Sequence, residues 1–324
     1  FQGKAKTPFV RLVARAKAGD VFLRMEQGAS NYNWQVSDWL AIPDTRQMDH
    51  IHDRSTQTEN RTIKAVLGNV NGEFGVELSA PLVYNHREGR WPDGTVCGFP
   101  DVANLTHSIT LRSENPNGVR GHCQFFQRAN VRIDGVAFMD MGRTLGTPLN
   151  NATVQPDGTV KPGTNQIGRY AVHLHHLMGP INTTNTGFQA EVSNCVVERP
   201  TKWGIALHDT HFARCDDNVV LFPRGPGIVT ENGEESFNSI QRNLVIGARS
   251  EAGLDDKQQV HPDANGGDGY WFYGLHGSTI KDNHAADCAN MGMTNWLRDE
   301  LETRLVPKFR GADVHARPSD GETI

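Results

Sequence analysis

A chain of 324 residues with 33 glycines, 16 prolines, 21% charged residues and a formal charge of −5 has neither the composition of a disordered polymer nor the basic stripe of a nucleic-acid binder. No apolar run approaches the roughly 18 residues of a membrane span. The five cysteines, at 97, 123, 195, 215 and 288, show no CxxC spacing, which sets aside zinc ribbons and dense disulfide frameworks and leaves mostly buried thiols with room for one disulfide.

In chain order, Phe1-Gln2-Gly3 reads as a remnant of protease cleavage, so the lack of a leader carries no weight. "RWPDG" at 90–94 and "NPNG" at 115–118 carry turn chemistry. "LTHSITL" at 105–111 alternates like a strand, with His107 structural. An internal repeat follows: "VRIDGVAF" at 131, "EVSNCVVE" at 191, "RCDDNVVLF" at 214, "IQRNLVIG" at 240 and "TIKDNHAAD" at 279 each break a short apolar run with Gly or Asn. Aligned on Gly135, Asn194, Asn218, Asn243 and Asn283, two steps are 24 and 25 residues long, and the others, 59 and 40, require insertions or an extra rung. A period in the low twenties with short β segments and no leucine-repeat spacing predicts an all-β chain folded as a right-handed parallel β-helix. Segments 143–166 and 249–268 are its loop insertions, both leaving the coil close to the site described next. "NWLRDELETRL" at 295–305 is the best helix candidate.

The repeat places "GRYAVHLHH", residues 168–176, one coil before Gly204-Ile205-Ala206-Leu207-His208, which is followed at a step of 23 by Gly227-Ile228-Val229-Thr230-Glu231. Val172, Ile205 and Ile228 then face inward, and His175, His208 and Glu231 form one outward column, with His173, Ala206 and Val229 beside it. His122 falls at or next to the column, and Tyr270, Trp271 and Tyr273 of "GYWFYG" reach the same face or its edge. Two imidazoles and a carboxylate suit either acid/base chemistry at neutral pH or a three-ligand metal site with an open position. His208, His211 and Glu231 are therefore the candidate catalytic groups. His175, His208 and Glu231 are the candidate ligands of one divalent metal ion, zinc-like rather than calcium-like. Arg169 is a candidate grip for an anionic substrate group, with His173, Tyr270, Trp271 and Tyr273 as further substrate contacts. The residues alone also leave open a hydrogen-bonded polar ladder on a solvated sheet face; a polysaccharide-cleaving enzyme, by hydrolysis or β-elimination, and a glycan-binding or adhesion module without turnover are the classes that the family resemblance given next implies.

Four blocks in order, "GRYAVHLHH", "HDTHF", "ENGEESFN" and "GYWFYG", resemble the extracellular hyaluronidase family of cell migration-inducing hyaluronan-binding protein and transmembrane protein 2, with fibrocystin-like proteins more distant. The resemblance runs from about residue 8 to 293. "TPFVRL", "WQVSDWLAI" and "TENRTI" are similar to the end of that family's glycine-rich domain, with Ser37 in place of a customary Gly. The resemblance thus implies a β cap over residues 1–80 and a β-helix over 81–324. Arg169, Tyr170, His173 and His175 match the family's arginine, tyrosine and paired histidines, with Ala171 for the usual proline. His208 and His211 match its H-x-T-H pattern, where Asp209 and Phe212 replace glycines. Glu231, Gly233, Glu235 and Asn238 match its acidic turn, with Asn232 for an aspartate. What this implies is an extracellular or cell-surface setting and an anionic, hyaluronan-like polysaccharide as partner.

Overall fold

The computed structural model describes residues 1–26, 32–46, 55–70, 73–177, 187–231, 233, 235–249, 266–273 and 275–296. Every regular element among them is a strand. Three parallel sheets stack coil upon coil. The front sheet takes Cys123–Phe126, Val172–His175, Ile205–His208, Ile228–Thr230, Tyr270–Tyr273 and Met293–Trp296 in that spatial order. The second sheet runs from Val131–Asp134 through Ala190–Ser193, Ala213–Asp216 and Ser239–Gln241 to Thr279–Lys281. The third runs from Ile109–Arg112 through Val136–Met139, Val196–Glu198, Val219–Leu221 and Leu244–Ile246 to His284–Ala286. This is the parallel β-helix the repeat predicts, and crossovers between parallel strands are right-handed as a rule.

Local chemistry explains the coil. Its strands are short apolar runs whose alternate side chains turn inward, so Val172, Ile205, Ile228 and Tyr270 stack in one buried column. Glycines stand immediately before several front strands because neighbouring backbones come too close there for a side chain. A Cβ on Gly227 would lie 2.6 Å from Val245 Cγ1 and 3.0 Å from the Gly269 carbonyl. Each strand of the second sheet is followed by a left-handed residue, with φ of 67° at Gly135, 51° at Asn194, 58° at Asp217, 50° at Arg242 and 54° at Asp282.

That register corrects the aligned asparagines by one residue. Ser193 pairs with Asp216, so Asn194 stacks on Asp217 and not on Asn218. Asn218, Asn243 and Asn283 form a separate internal ladder one position later, next to Cys195. In it, the Asn243 Oδ1 accepts the Asn218 backbone N–H at 2.9 Å, and its Nδ2 donates to the Cys215 carbonyl at 2.8 Å.

The N-terminal region forms an antiparallel sheet, with Asp101–Asn104 among its strands, that packs along the third sheet: Ala41, Ala103 and Leu105 lie against Ala137, Val196, Val219 and Leu244, and Asp101 reaches His284. Asp101–Asn104, which lies past the boundary expected at residue 80, pairs with Phe9–Arg11 and Trp39–Ile42 of this sheet. Gln2 bridges Asp134 in parallel, so the first residues pair with the coil. The 143–166 insertion carries a small hairpin, Thr153–Val154 with Val160–Lys161. Residues 250–265 of the second insertion and 297–305 of the expected helix lie outside the described residues. Asn295 and Trp296, which that helix would include, instead end a front-sheet strand. All five cysteines are free, so the one possible disulfide is not formed. Cys195 and Cys215 fill the coil interior.

Candidate functional site on the front sheet

The outward columns follow from register. His175 pairs with His208, and the Glu231 N–H continues the ladder to the Leu207 carbonyl at 3.0 Å, which sets Glu231 beside His208 on the next rung. His173 lies in the neighbouring column with Gln124, Ala206, Val229 and Trp271. Phe126, on the rung before His175, packs edge-on against that ring at 5.4 Å.

This face is outward without being bare. Tyr170 and Trp203 cover Ala206 and Val229, with their rings 4.4 Å apart, and the Lys202 Nζ sits 4.3 Å from the Trp203 ring centre. Beneath this cover His173 is fully buried, and its Nδ1 donates to the Gly168 carbonyl at 2.9 Å. Burial pushes the His173 ring down to about 3, with the neighbouring histidines adding to the shift and the Gly168 carbonyl opposing it. His175 and His208 are also pushed down to about 4, in both cases chiefly by burial. At neutral pH these rings are uncharged and keep a free lone pair.

Three carboxylates organise around His208. The Glu231 Oε2 lies 3.3 Å from the His208 Nδ1, and the Tyr170 hydroxyl donates to the Glu231 Oε1 at 3.1 Å. On the other side of the ring, the Asp209 Oδ2 lies 3.9 Å from the His208 Nε2 and 3.3 Å from the His176 Nε2. Glu235, fully buried, accepts the backbone N–H groups of Asp209 and Glu231 at 3.1 Å each and of Gly233 at 2.7 Å. It fixes the turn that presents both other acids.

Two sets of possible metal ligands overlap here. His173, His175 and His208 bring one ligand atom each to within 4.8 Å of one another, as do His176, His208 and Asp209. Glu231, expected as the third ligand, lies beside the first set, and His173, expected at the substrate, lies inside it.

Other expected contacts are redistributed. Tyr270 belongs to the inward column, and its hydroxyl donates to the His284 carbonyl at 2.9 Å inside the coil, which removes it from any substrate surface. His211 is fully buried, with its Nδ1 2.7 Å from the Ser236 Oγ, and is part of a turn rather than of the exposed face. Tyr273 follows Glu231 in the outward column yet is buried, with its ring edge-on to Trp271 at 5.5 Å. Trp271 remains partly exposed. Arg169 reaches the Gln124 Oε1 at 3.3 Å, and its backbone N–H is held by the Thr144 Oγ1 at the base of the 143–166 insertion. His122 is shifted down by burial first and then by the positive charges of Arg143 and Arg169, which marks a basic edge to the face. Asp209, His176, Tyr170 and Trp203 complete the site. Asp209 and His176 adjoin the quoted histidines, whereas Trp203 becomes visible only when the outer side of the coil is packed.

Residues 159–305 match the family model described as CEMIP beta-helix. Fibrocystin-L of Homo sapiens is 25% identical over 317 residues, covering 90% of this chain and 7% of that protein. Fibrocystin-L of Mus musculus is 26% identical over 316 residues, with the same two coverages of 90% and 7%. Among solved structures, the Yersinia enterocolitica family 28 exopolygalacturonase aligns with 88% of this chain and 69% of its own, at 10% identity and a TM-score of 0.26. The chain spans about 7% of the length of the curated relatives it matches. It is thus similar to the CEMIP beta-helix family across the coils that carry the histidine columns, and to fibrocystin-L along most of its length.

Proposed function

We propose that the front face binds an anionic, hyaluronan-like polysaccharide and cleaves it by hydrolysis, in an extracellular or cell-surface setting. The observation that carries the reading is the placement of His175, His208 and Glu231 on three successive rungs between a basic edge and an aromatic one. Similarity to the CEMIP beta-helix family over 159–305 supports the substrate class through the resemblance described above. Glycoside hydrolysis commonly employs two carboxyl groups, one giving a proton to the leaving oxygen and one assisting attack. Glu231 and Asp209 flank His208 and fill those roles, with Tyr170 holding Glu231. Arg169 takes the uronate, and Trp271 offers a ring for sugar stacking. A binding module without turnover is the second reading, favoured by the engagement of Glu231 with Tyr170 and His208 in the resting protein.

The test is incubation of wild type, Glu231→Gln and Arg169→Ala with hyaluronan and related glycosaminoglycans, with binding and product release measured separately. Glu231→Gln should bind normally and lose about 10²- to 10⁴-fold in turnover. Arg169→Ala should bind charged chains more weakly and with a shallower salt dependence. Binding without products from the wild type would select the module. Absorbance of a 4,5-unsaturated end would replace hydrolysis with elimination, and unchanged turnover in Glu231→Gln would move the chemistry to another carboxylate.

A further inference from the structure

We infer that His173, His175 and His208 form a three-imidazole site for one divalent transition metal ion, with zinc its best-suited occupant, in front of the Glu231 carboxylate. The inference applies equally to an enzyme and to a binding module, because metal uptake requires no turnover.

Geometry supplies the first support. Two adjacent rungs deliver three rings whose ligand atoms lie within 4.8 Å of one another. Around a zinc ion with Zn–N bonds of about 2.0–2.1 Å, tetrahedral partners stand roughly 3.3 Å apart. The His175 and His208 Nδ1 atoms are 3.0 Å apart, so modest ring rotations bring the set to bonding distance. His173 supplies the second, independent support. Its Nδ1 hydrogen is committed to the Gly168 carbonyl, which makes Nε2 the lone-pair nitrogen. That Nε2 is buried and has no hydrogen-bond partner among the described residues. An unsatisfied buried polar atom is destabilising, and an inner-sphere ligand would remove that cost. A ligand imidazole whose other nitrogen donates to a backbone carbonyl is the usual arrangement of metal-binding histidines, because that bond fixes the tautomer and aims the ring.

The surroundings extend the pattern. The Asp209 carboxylate approaches the His208 Nε2, behind the nitrogen that faces His175, and the Glu231 Oε2 lies 3.3 Å from that facing Nδ1. Glu231 therefore stands where it can complete a fourth position or hold a water bound there. Neutral imidazole is a ligand for zinc, copper and nickel, whereas calcium and magnesium require shells dominated by oxygen. The set His176, His208 and Asp209 competes for the same His208 ring, but His176 is exposed and lacks the carbonyl-anchored orientation of His173.

The experiment uses the whole chain, purified without a histidine tag and stripped with a chelator, then titrated with zinc and separately with cobalt(II). The expected result is about one zinc per chain and a cobalt complex with the intense visible absorption of a tetrahedral nitrogen-rich site. His208→Asn should weaken zinc binding by more than about 100-fold. His173→Phe, which retains the ring volume, should do the same, and a circular dichroism spectrum matching the wild type keeps either variant informative. His176→Ala should leave stoichiometry and affinity unchanged. The inference is overturned if the folded wild type takes up neither metal, if uptake survives both His173→Phe and His208→Asn, or if His176→Ala alone abolishes it. Loss of zinc with intact polysaccharide binding would separate this site from the proposed function. Zinc binding with no effect on any glycan would uphold the site and count against that function.

Discussion

Ser37, Asp209 and Phe212 have φ of 73°, 44° and 52°, left-handed values that glycine adopts at no steric cost. These are the three positions where glycine is customary in the resembling sequences. The substitutions therefore retain the backbone path and add side chains to it, and at Asp209 the addition is a carboxylate facing two imidazoles. Individual ring environments were less legible than the columns, because burial of His173 depends on Gly168, Tyr170 and Trp203, which belong to turns and not to the alternating strand. His107, assigned to structure from its strand, has both ring nitrogens buried without a partner among the described residues. Its pKa is pushed down to about 4, first by burial and then by Lys6, with Asp38 opposing. A base held neutral in the fold gains no proton there while the unfolded chain does, so stability falls as pH drops from about 6.5 to about 4 and is unaffected by this group above 6.5. The full effect is on the order of 3 kcal/mol. His107→Phe should therefore flatten the loss of urea midpoint across that pH window, and parallel curves for the two proteins would contradict the assignment.

At the scale of elements, the front strands were readable because inward and outward residues alternate strictly in them, after a Gly at 204, 227, 269 and 292, and a slip of one residue would have inverted the site. The second sheet was harder to read. Asparagine serves two neighbouring purposes there, a left-handed turn at Asn194 and an internal ladder at Asn218, Asn243 and Asn283, and sequence alignment merges them. The ladder has an energetic consequence. Asn243→Ala would strand the Asn218 N–H and the Cys215 carbonyl inside the coil, costing about 3 kcal/mol. Chemical denaturation with an unchanged m-value should record that loss, whereas a drop below about 0.5 kcal/mol would mean that the ladder is dispensable.

For the whole molecule, the coil could be inferred from its period, but its union with the cap rests on contacts between residues far apart in sequence. The Asp287 Oδ2, on the last described coil, accepts the hydroxyls of Thr56 at 2.5 Å and Thr58 at 2.7 Å, while its Oδ1 pairs with Arg249. Asp287→Ala leaves a largely buried guanidinium without its carboxylate partner and removes one polar tie to the cap beside the apolar contacts of Ala41, Ala103 and Leu105, so about 3–5 kcal/mol should be lost. Calorimetry should show the transition of the variant shifted to lower temperature; an unshifted transition would refute the tie. The unpaired cysteines carry another consequence. Burial pushes the Cys195 and Cys288 thiols up to about 12 and Cys215 well above its usual range, and it also raises Cys123, so none of the four offers a reactive thiolate at neutral pH. Cys97 alone is exposed. The native chain is therefore addressable at a single point: a thiol-directed dye, spin label or gold surface would attach it through the 96–98 strand.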